Sequence, residues 1–149
     1  MGIINKVECI QLAREEKDTV IFFTPLNSDE TVLLEMPPKT ADESLFCHYS
    51  HTDQLLVVRG SLVLVILQNR HYDYTLLTQH KPLLMKIPPG IPHALINFSS
   101  ESCLLLNALI RHAPVHPKDY HPIKKPFPFD LERVNNLLSR AGEDEIAKG

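Results

Sequence analysis

From Val7 to Ile110 the chain is a succession of short apolar runs with strand-like spacing and no helical period between them. V-E-C-I-Q-L, T-V-I-F-F, T-V-L-L-E-M, S-L-F-C-H-Y, Q-L-L-V-V-R, S-L-V-L-V-I-L, Y-T-L-L, L-L-M-K-I, A-L-I-N-F and C-L-L-L-N-A-L-I follow one another across turn-like pieces. Leucine suits helices, so any single run is ambiguous, but the series predicts an antiparallel sandwich or small barrel. A chain of 149 residues has room for one such domain with a full core. Asn27–Glu30 and Pro37–Thr40 read as turns, through local side-chain bonding and the fixed φ of proline.

The character changes after Ile110. Proline recurs at 114, 117, 122, 126 and 128, which predicts an extended surface segment over 113–129. Asp130 then reads as a helix N-cap. Leu131, Val134, Leu137 and Leu138 form a short apolar stripe, ended by Gly142 and followed by a frayed tail. A barrel over 1–112, with 113–149 belonging to the same single domain, is the expected organisation. The run Ser61–Leu67 is apolar on both faces, so its outer face should meet another sheet, in the same chain or in a partner. A homodimer is the preferred expectation.

Several function classes are excluded early. Of five glycines, only Gly60 and Gly90 lie in the interior, so no glycine-rich phosphate loop exists. A net charge of −3 with scattered Lys and Arg argues against nucleic acid. No apolar run is long enough for a membrane span, and M-G-I-I-N-K has neither a leader's apolar core nor a myristoylation signal. Three cysteines without C-x-x-C fit buried free thiols in a reducing cytosol, so a cytoplasmic location is expected.

The eight histidines divide by context. His71 and His80 flank a polar stretch, and His116 and His121 lie among prolines; all four are expected at the surface. His48, His51 and His93 each end a strongly apolar run, where a lone histidine is more often a hydrogen-bonded core residue than a ligand. Their spacing changes that reading. His48 is followed by Asp53 and, after six residues, Gly60; further on comes Pro88-x-Gly90-x-x-His93-x-x-x-Asn97. Gly60, one residue between two apolar runs, reads as a tight hairpin needing positive φ.

The second string matches the latter half of the second cupin motif, P-x-G-x-x-H-x-x-x-N, without a mismatch. The first resembles the end of the first cupin motif, with Asp53 in place of Glu and Phe46 where the leading histidine would stand. Over about residues 40–112 the chain therefore resembles the cupin superfamily, implying an all-β, double-sheet jelly-roll barrel with a short C-terminal helix. Within it, L-F-C-H-Y-S, the spacing of Arg59 and Arg70, and I-P-P-G-I-P-H-A…S…A-P-V-H are similar to the dTDP-4-dehydrorhamnose 3,5-epimerase branch. The short dTDP-ketosugar isomerases are similar in plan.

That resemblance implies a sugar-nucleotide substrate and a reaction needing no cofactor. Epimerisation beside a ketone requires a base, an acid and a partner for the enolate oxygen. By resemblance His48 stands at the base, with Asp119 as the carboxylate that orients it. Arg59 and Arg70 suit a diphosphate, with Arg111 and Tyr49 as further substrate contacts. Three positions differ from the family. Arg111-His112 replaces the proton-donating tyrosine, Asp53-Gln54 the oxyanion-binding lysine, and Leu45 an arginine. His112 is the substitute acid on this reading, with Tyr49, Tyr72 or Tyr74 as alternatives. A competing reading is a divalent metal (Zn, Fe, Mn or Ni) held by His48, Asp53 and His93, with His51 as a fourth ligand. In an unbroken strand His48 and His51 face opposite sides, so this set needs a turn near Tyr49-Ser50. A non-catalytic sugar- or ligand-binding barrel is the third class.

Overall fold

The computed structural model describes residues 6–148, with side chains as far as Gly142. Residues 1–5, on which the reading of the N-terminus rests, lie outside the described part. The first half contains β1 (Glu8–Gln11), β2 (Arg14–Lys17), β3 (Val20–Phe23), β4 (Glu30–Met36), β5 (Thr40–Ala41) and β6 (Leu45–Phe46). After these come β7 (His51–Arg59), β8 (Ser61–Gln68), β9 (His71–Thr78) and β10 (Leu83–Ile87). The chain ends with β11 (His93–Asn97), β12 (Cys103–Arg111), β13 (Pro122–Ile123) and the helix α1 (Leu131–Lys148).

These strands build two facing antiparallel sheets. One has the order β1-β10-β7-β12-β4; the other runs β13-β6-β11-β8-β9, with β5 also paired to β11. Period-2 alternation sends Leu55, Met85 and Leu105 of the first sheet and Leu62, Leu64 and Ile66 of the second into one shared core. The arm β2–β3 is a hairpin apart from both sheets.

Gly60 has the positive φ its position suggests, +87°, but not the hairpin. The strands on its two sides belong to different sheets, so it forms a corner between them. A Cβ there would stand 2.8 Å from the carbonyl oxygen of Ser102, which leaves no space for a side chain. The two-residue hairpin lies instead between β8 and β9, where Asn69 and Arg70 take φ of 51° and 65°.

The second apolar face of β8 meets a helix rather than a sheet. Val63 and Val65 pack with Phe129, Val134 and Leu137, so the chain covers this face itself. Asp130 caps α1 by accepting the Arg133 amide at 3.0 Å. The helix does not stop at Gly142 but continues to Lys148. One glycine costs a helix only about 1 kcal/mol, and anchoring by Val134, Leu137 and Ala141, all buried, offsets that. The proline segment is also more than a surface strap. It contributes β13, which pairs with β6, and a turn that buries Asp119 completely.

Candidate functional site

The site follows from strand parity and one change of sheet. Along β7, His51, Asp53 and Leu55 point into the barrel while Thr52 and Gln54 point out. The chain leaves the second sheet at Phe46, bends at Tyr49-Ser50 and joins the first sheet at His51. That bend is the turn the sequence required. It brings His48 and His51 onto the same side with rings stacked at 4.4 Å. His93 opens β11 opposite Phe46 and Ile66, and its ring sits 5.1 Å from that of His48.

All three imidazoles converge on one carboxylate. Asp53 Oδ2 lies 3.2 Å from Nε2 of both His48 and His93, and Oδ1 lies 3.0 Å from Nε2 of His51. Asn107 donates a fourth hydrogen bond to Oδ1 at 2.8 Å. Burial alone would push the Asp53 pKa up; the hydrogen bonds from His48, His51 and His93 overcome it and hold the carboxyl far below its ordinary range. Asp53 is therefore a buried anion at any pH near neutrality.

The second ring nitrogens set the tautomers. His48 Nδ1 donates to the main-chain carbonyl of Asp119 at 2.7 Å, and His93 Nδ1 to that of Ile91 at 2.9 Å. A carbonyl can only accept, so in both rings Nδ1 carries a proton and Nε2 is the nitrogen that faces Asp53. His51 Nδ1 is buried without a hydrogen-bond partner. For His48 burial depresses the pKa, but the bond to Asp53, its charge and the Asp119 carbonyl outweigh it, and the net shift is upward.

Asp119 does not orient His48 through its carboxylate, as the resemblance implied, but through its backbone. The carboxylate instead holds the Tyr49-Ser50 bend, accepting the Tyr49 amide at 2.7 Å, the Ser50 amide at 3.2 Å and the His116 amide at 2.8 Å. The Ser50 hydroxyl donates to it as well. Despite burial, these donors keep its pKa well below the usual carboxylate range.

These groups line a pocket of about 280 Å³ whose walls are largely apolar, including Val32, Leu34, Phe46, Leu95 and Leu109. Several sequence candidates lie elsewhere. His112 is exposed and bonds Thr52 Oγ at 2.7 Å on the outer face of β7, because residues 52 and 53 point to opposite sides. Arg59 is exposed at the far end of β7, roughly 26 Å along the strand from His51. Arg70 is exposed in the β8–β9 turn. Arg111 sits beside the bend, its guanidinium donating to Ser50 Oγ at 3.0 Å and pairing with Glu30. Tyr49 is partly exposed against the His116 ring. Tyr72 donates to the Phe127 carbonyl and Tyr74 accepts the Asp130 amide, so both fasten the C-terminal segment outside the barrel.

Three polar pocket residues are not signalled as site residues by the motifs: Asp42, whose carboxylate accepts the Leu95 amide at 2.9 Å, Tyr120 and Asn107. Tyr120 hangs over the cluster, its ring 5.6 Å from His48 and 6.4 Å from His51, and nothing in its proline-rich surroundings signals it. Asn107 did leave a signal, being the lone polar residue in the apolar run C-L-L-L-N-A-L-I.

With two facing antiparallel sheets and an inward histidine–carboxylate cluster, the chain has a cupin-type double-sheet barrel fold, which it shares with solved sugar epimerases and isomerases. No family model matches the chain, and no curated protein matches it by sequence. Solved structures do. A dTDP sugar isomerase from Desulfovibrio desulfuricans G20 superposes with a TM-score of 0.64 at 14% identity, covering 86% of this chain and 87% of that one. The TDP-quinovose 3,4-ketoisomerase of Campylobacter jejuni gives 0.64 at 14% identity, covering 91% and 99%. The 4-keto-6-deoxy sugar epimerase NovW of Streptomyces spheroides gives 0.63 at 14% identity, covering 87% and 78%.

Proposed function

We propose that this chain epimerises or isomerises a nucleotide-linked ketosugar, with His48 moving a proton at the carbon next to the carbonyl. The proteins of like fold are, by name, a dTDP sugar isomerase, a TDP-quinovose 3,4-ketoisomerase and a 4-keto-6-deoxy sugar epimerase, which supports a sugar-nucleotide ligand. The observation that carries the proposal is the setting of His48. The Asp119 carbonyl fixes its Nδ1 proton and leaves Nε2, 3.2 Å from Asp53 Oδ2 at the pocket wall, as the nitrogen that exchanges a proton.

Asp53 stabilises the imidazolium that forms when Nε2 takes a proton, so the base is stronger than a free histidine. The largely apolar walls of the pocket strengthen the electrostatic contacts made around the enolate. Tyr120 takes the donor role here, because it faces the same cavity while His112 does not. The apolar walls suit the deoxygenated face of a 6-deoxy sugar. Incubation with dTDP-4-keto-6-deoxyglucose in deuterium oxide should incorporate deuterium next to the carbonyl. His48→Ala should abolish that incorporation. Equal, slow exchange in both proteins would remove the proposal.

One observation favours a second reading, a divalent metal on the same residues. Three Nε2 atoms and one carboxylate converge, and atoms of His48, His51 and Asp53 lie within 4.8 Å of one another. Two of the rings also donate their other nitrogen to backbone carbonyls, the second-sphere arrangement typical of metal-binding histidines. The donor set fits Zn, Fe, Mn or Ni. A bound ion would polarise the substrate carbonyl as a Lewis acid. Elemental analysis of untagged protein separates the two readings: near-stoichiometric metal supports this one, and metal-free protein with full activity eliminates it.

A further inference from the structure

One carboxylate in the pocket has no part in the arrangement around Asp53. Asp42 follows directly on β5 and faces Leu95 of β11. Its amide donates to the Leu95 carbonyl at 3.0 Å, and its Oδ2 accepts the Leu95 amide at 2.9 Å. The side chain thus continues the strand ladder where β5 ends. It lines the pocket together with Phe46, His93 and Leu95. Its Oδ1 accepts no hydrogen bond from any described residue.

The ladder does not require this charge. An asparagine oxygen would accept the same amide and stay neutral. Burial of the Asp42 carboxylate pushes its pKa up, against the opposing pull of the Leu95 amide and of His93. Asp53, in the same pocket, is met by three imidazoles and Asn107, whereas Asp42 is met by one main-chain amide. Among the described residues no lysine or arginine lines the pocket. A carboxylate that its surroundings disfavour, in a largely apolar recess with no lysine or arginine, marks the place of a cation that arrives with the ligand.

We propose that Asp42 selects a substrate with an amino substituent on its sugar ring, Oδ1 accepting a charge-assisted hydrogen bond from the ammonium. This selection rests on the ketosugar reading above and narrows its substrate class to amino sugars. At about 280 Å³ the pocket stands at the small end of ligand sites and takes one ring. The diphosphate, an anion like Asp42, stays at the mouth. A neutral hydroxyl in the place of the ammonium gains less, because it brings no charge to offset that of Asp42 in weakly screened surroundings.

The test measures deuterium incorporation into dTDP-4-keto-6-deoxyglucose and into its 2-amino and 3-amino counterparts. With the wild-type chain, at least one amino sugar should show a KM about 10-fold below that of the hydroxyl sugar. The N-acetylated counterparts, which carry no charge, should show no such gain, and an equal gain from them overturns the selection of an ammonium. Asp42→Asn keeps an acceptor for the Leu95 amide and should react with the amino and hydroxyl sugars at similar KM. A preference that persists in that variant overturns the role of Asp42. Wild-type turnover of the hydroxyl sugar with no preference for either amino sugar overturns the selection and leaves the ketosugar reading standing. Incorporation into none of the sugars removes the ketosugar reading and the selection with it.

Discussion

The backbone carbonyl of Asp119 accepts the Nδ1 proton of His48 at 2.7 Å, across 71 residues of chain, while the side chain of the same aspartate ties down the bend beside that histidine. One residue of the proline-rich segment thus sets both the tautomer and the position of the proposed base. Because the two roles use different atoms, substitution can separate them.

Asp119→Ala removes the carboxylate but not the carbonyl. It leaves the buried amide of Ser50 and the part-buried amides of Tyr49 and His116 without their acceptor. The expected cost is about 2–4 kcal/mol, a fall in melting temperature of roughly 5–15 °C. Turnover should fall through kcat more than KM, because the base is displaced rather than the ligand contacts. An unchanged melting temperature contradicts this role for the carboxylate.

Asp53→Asn keeps the shape and removes the charge that raises the His48 pKa. The His48 titration midpoint, read from its ring proton shifts, should drop relative to wild type. Deuterium incorporation should fall about 10²-fold. A midpoint that does not move would show that Asp53 is not what raises it.

Stability should depend on pH from both sides. The pKa of His48 is raised in the fold, so its contribution is complete below its ordinary value of 6.5 and is lost as pH rises through the folded value. The pKa values of Asp53 and Asp119 are lowered, so their contributions are complete above their ordinary 3.8 and decline as pH falls below it. Thermal unfolding should therefore show a plateau near pH 5–6. In His48→Gln the decline on the alkaline side should flatten; persistence of the wild-type slope would place its origin elsewhere.

The two internal glycines should respond differently to alanine. Both have φ near +85°, which alone costs roughly 1–2 kcal/mol. At Gly90 a Cβ meets nothing within 4 Å, so that is the full cost. At Gly60 it meets the Ser102 carbonyl at 2.8 Å, and the corner must shift. Chemical denaturation should find Gly60→Ala the less stable variant by at least about 1 kcal/mol; equal effects would argue against a crowded corner.

Much of the architecture was legible because it is local. Alternating runs bury one face of a strand wherever they occur, so the β-rich fold and the inward direction of His51 and Asp53 follow from parity. Gly60 could be given a positive φ because left-handed backbone favours glycine, and Gly90 was marked by its motif. Non-local pairing was not legible. A one-residue link looks the same whether the next strand pairs back or crosses to the other sheet, and only the sheet order distinguishes them. Exposure also misled: prolines exclude regular helix and strand interiors but do not keep every residue of a segment on the surface, which is how Asp119 came to be buried beside the site while Tyr120 stays exposed over it.

The sequence by itself determined the strand-rich barrel, the positive φ of Gly60, the capped helix and the three histidines with Asp53 as one constellation, because periodicity, φ and motif spacing are properties of neighbouring residues. Tertiary structure alone decided that all three rings share one carboxylate, that a backbone carbonyl rather than a side chain orients His48, and that α1 covers the back of β8. It also decided that His112, Arg59 and Arg70 stand outside the pocket while Tyr120 stands over it. Each of these depends on where distant segments cross, and two segments remote in the chain leave no mark on each other's sequence that a single chain can reveal.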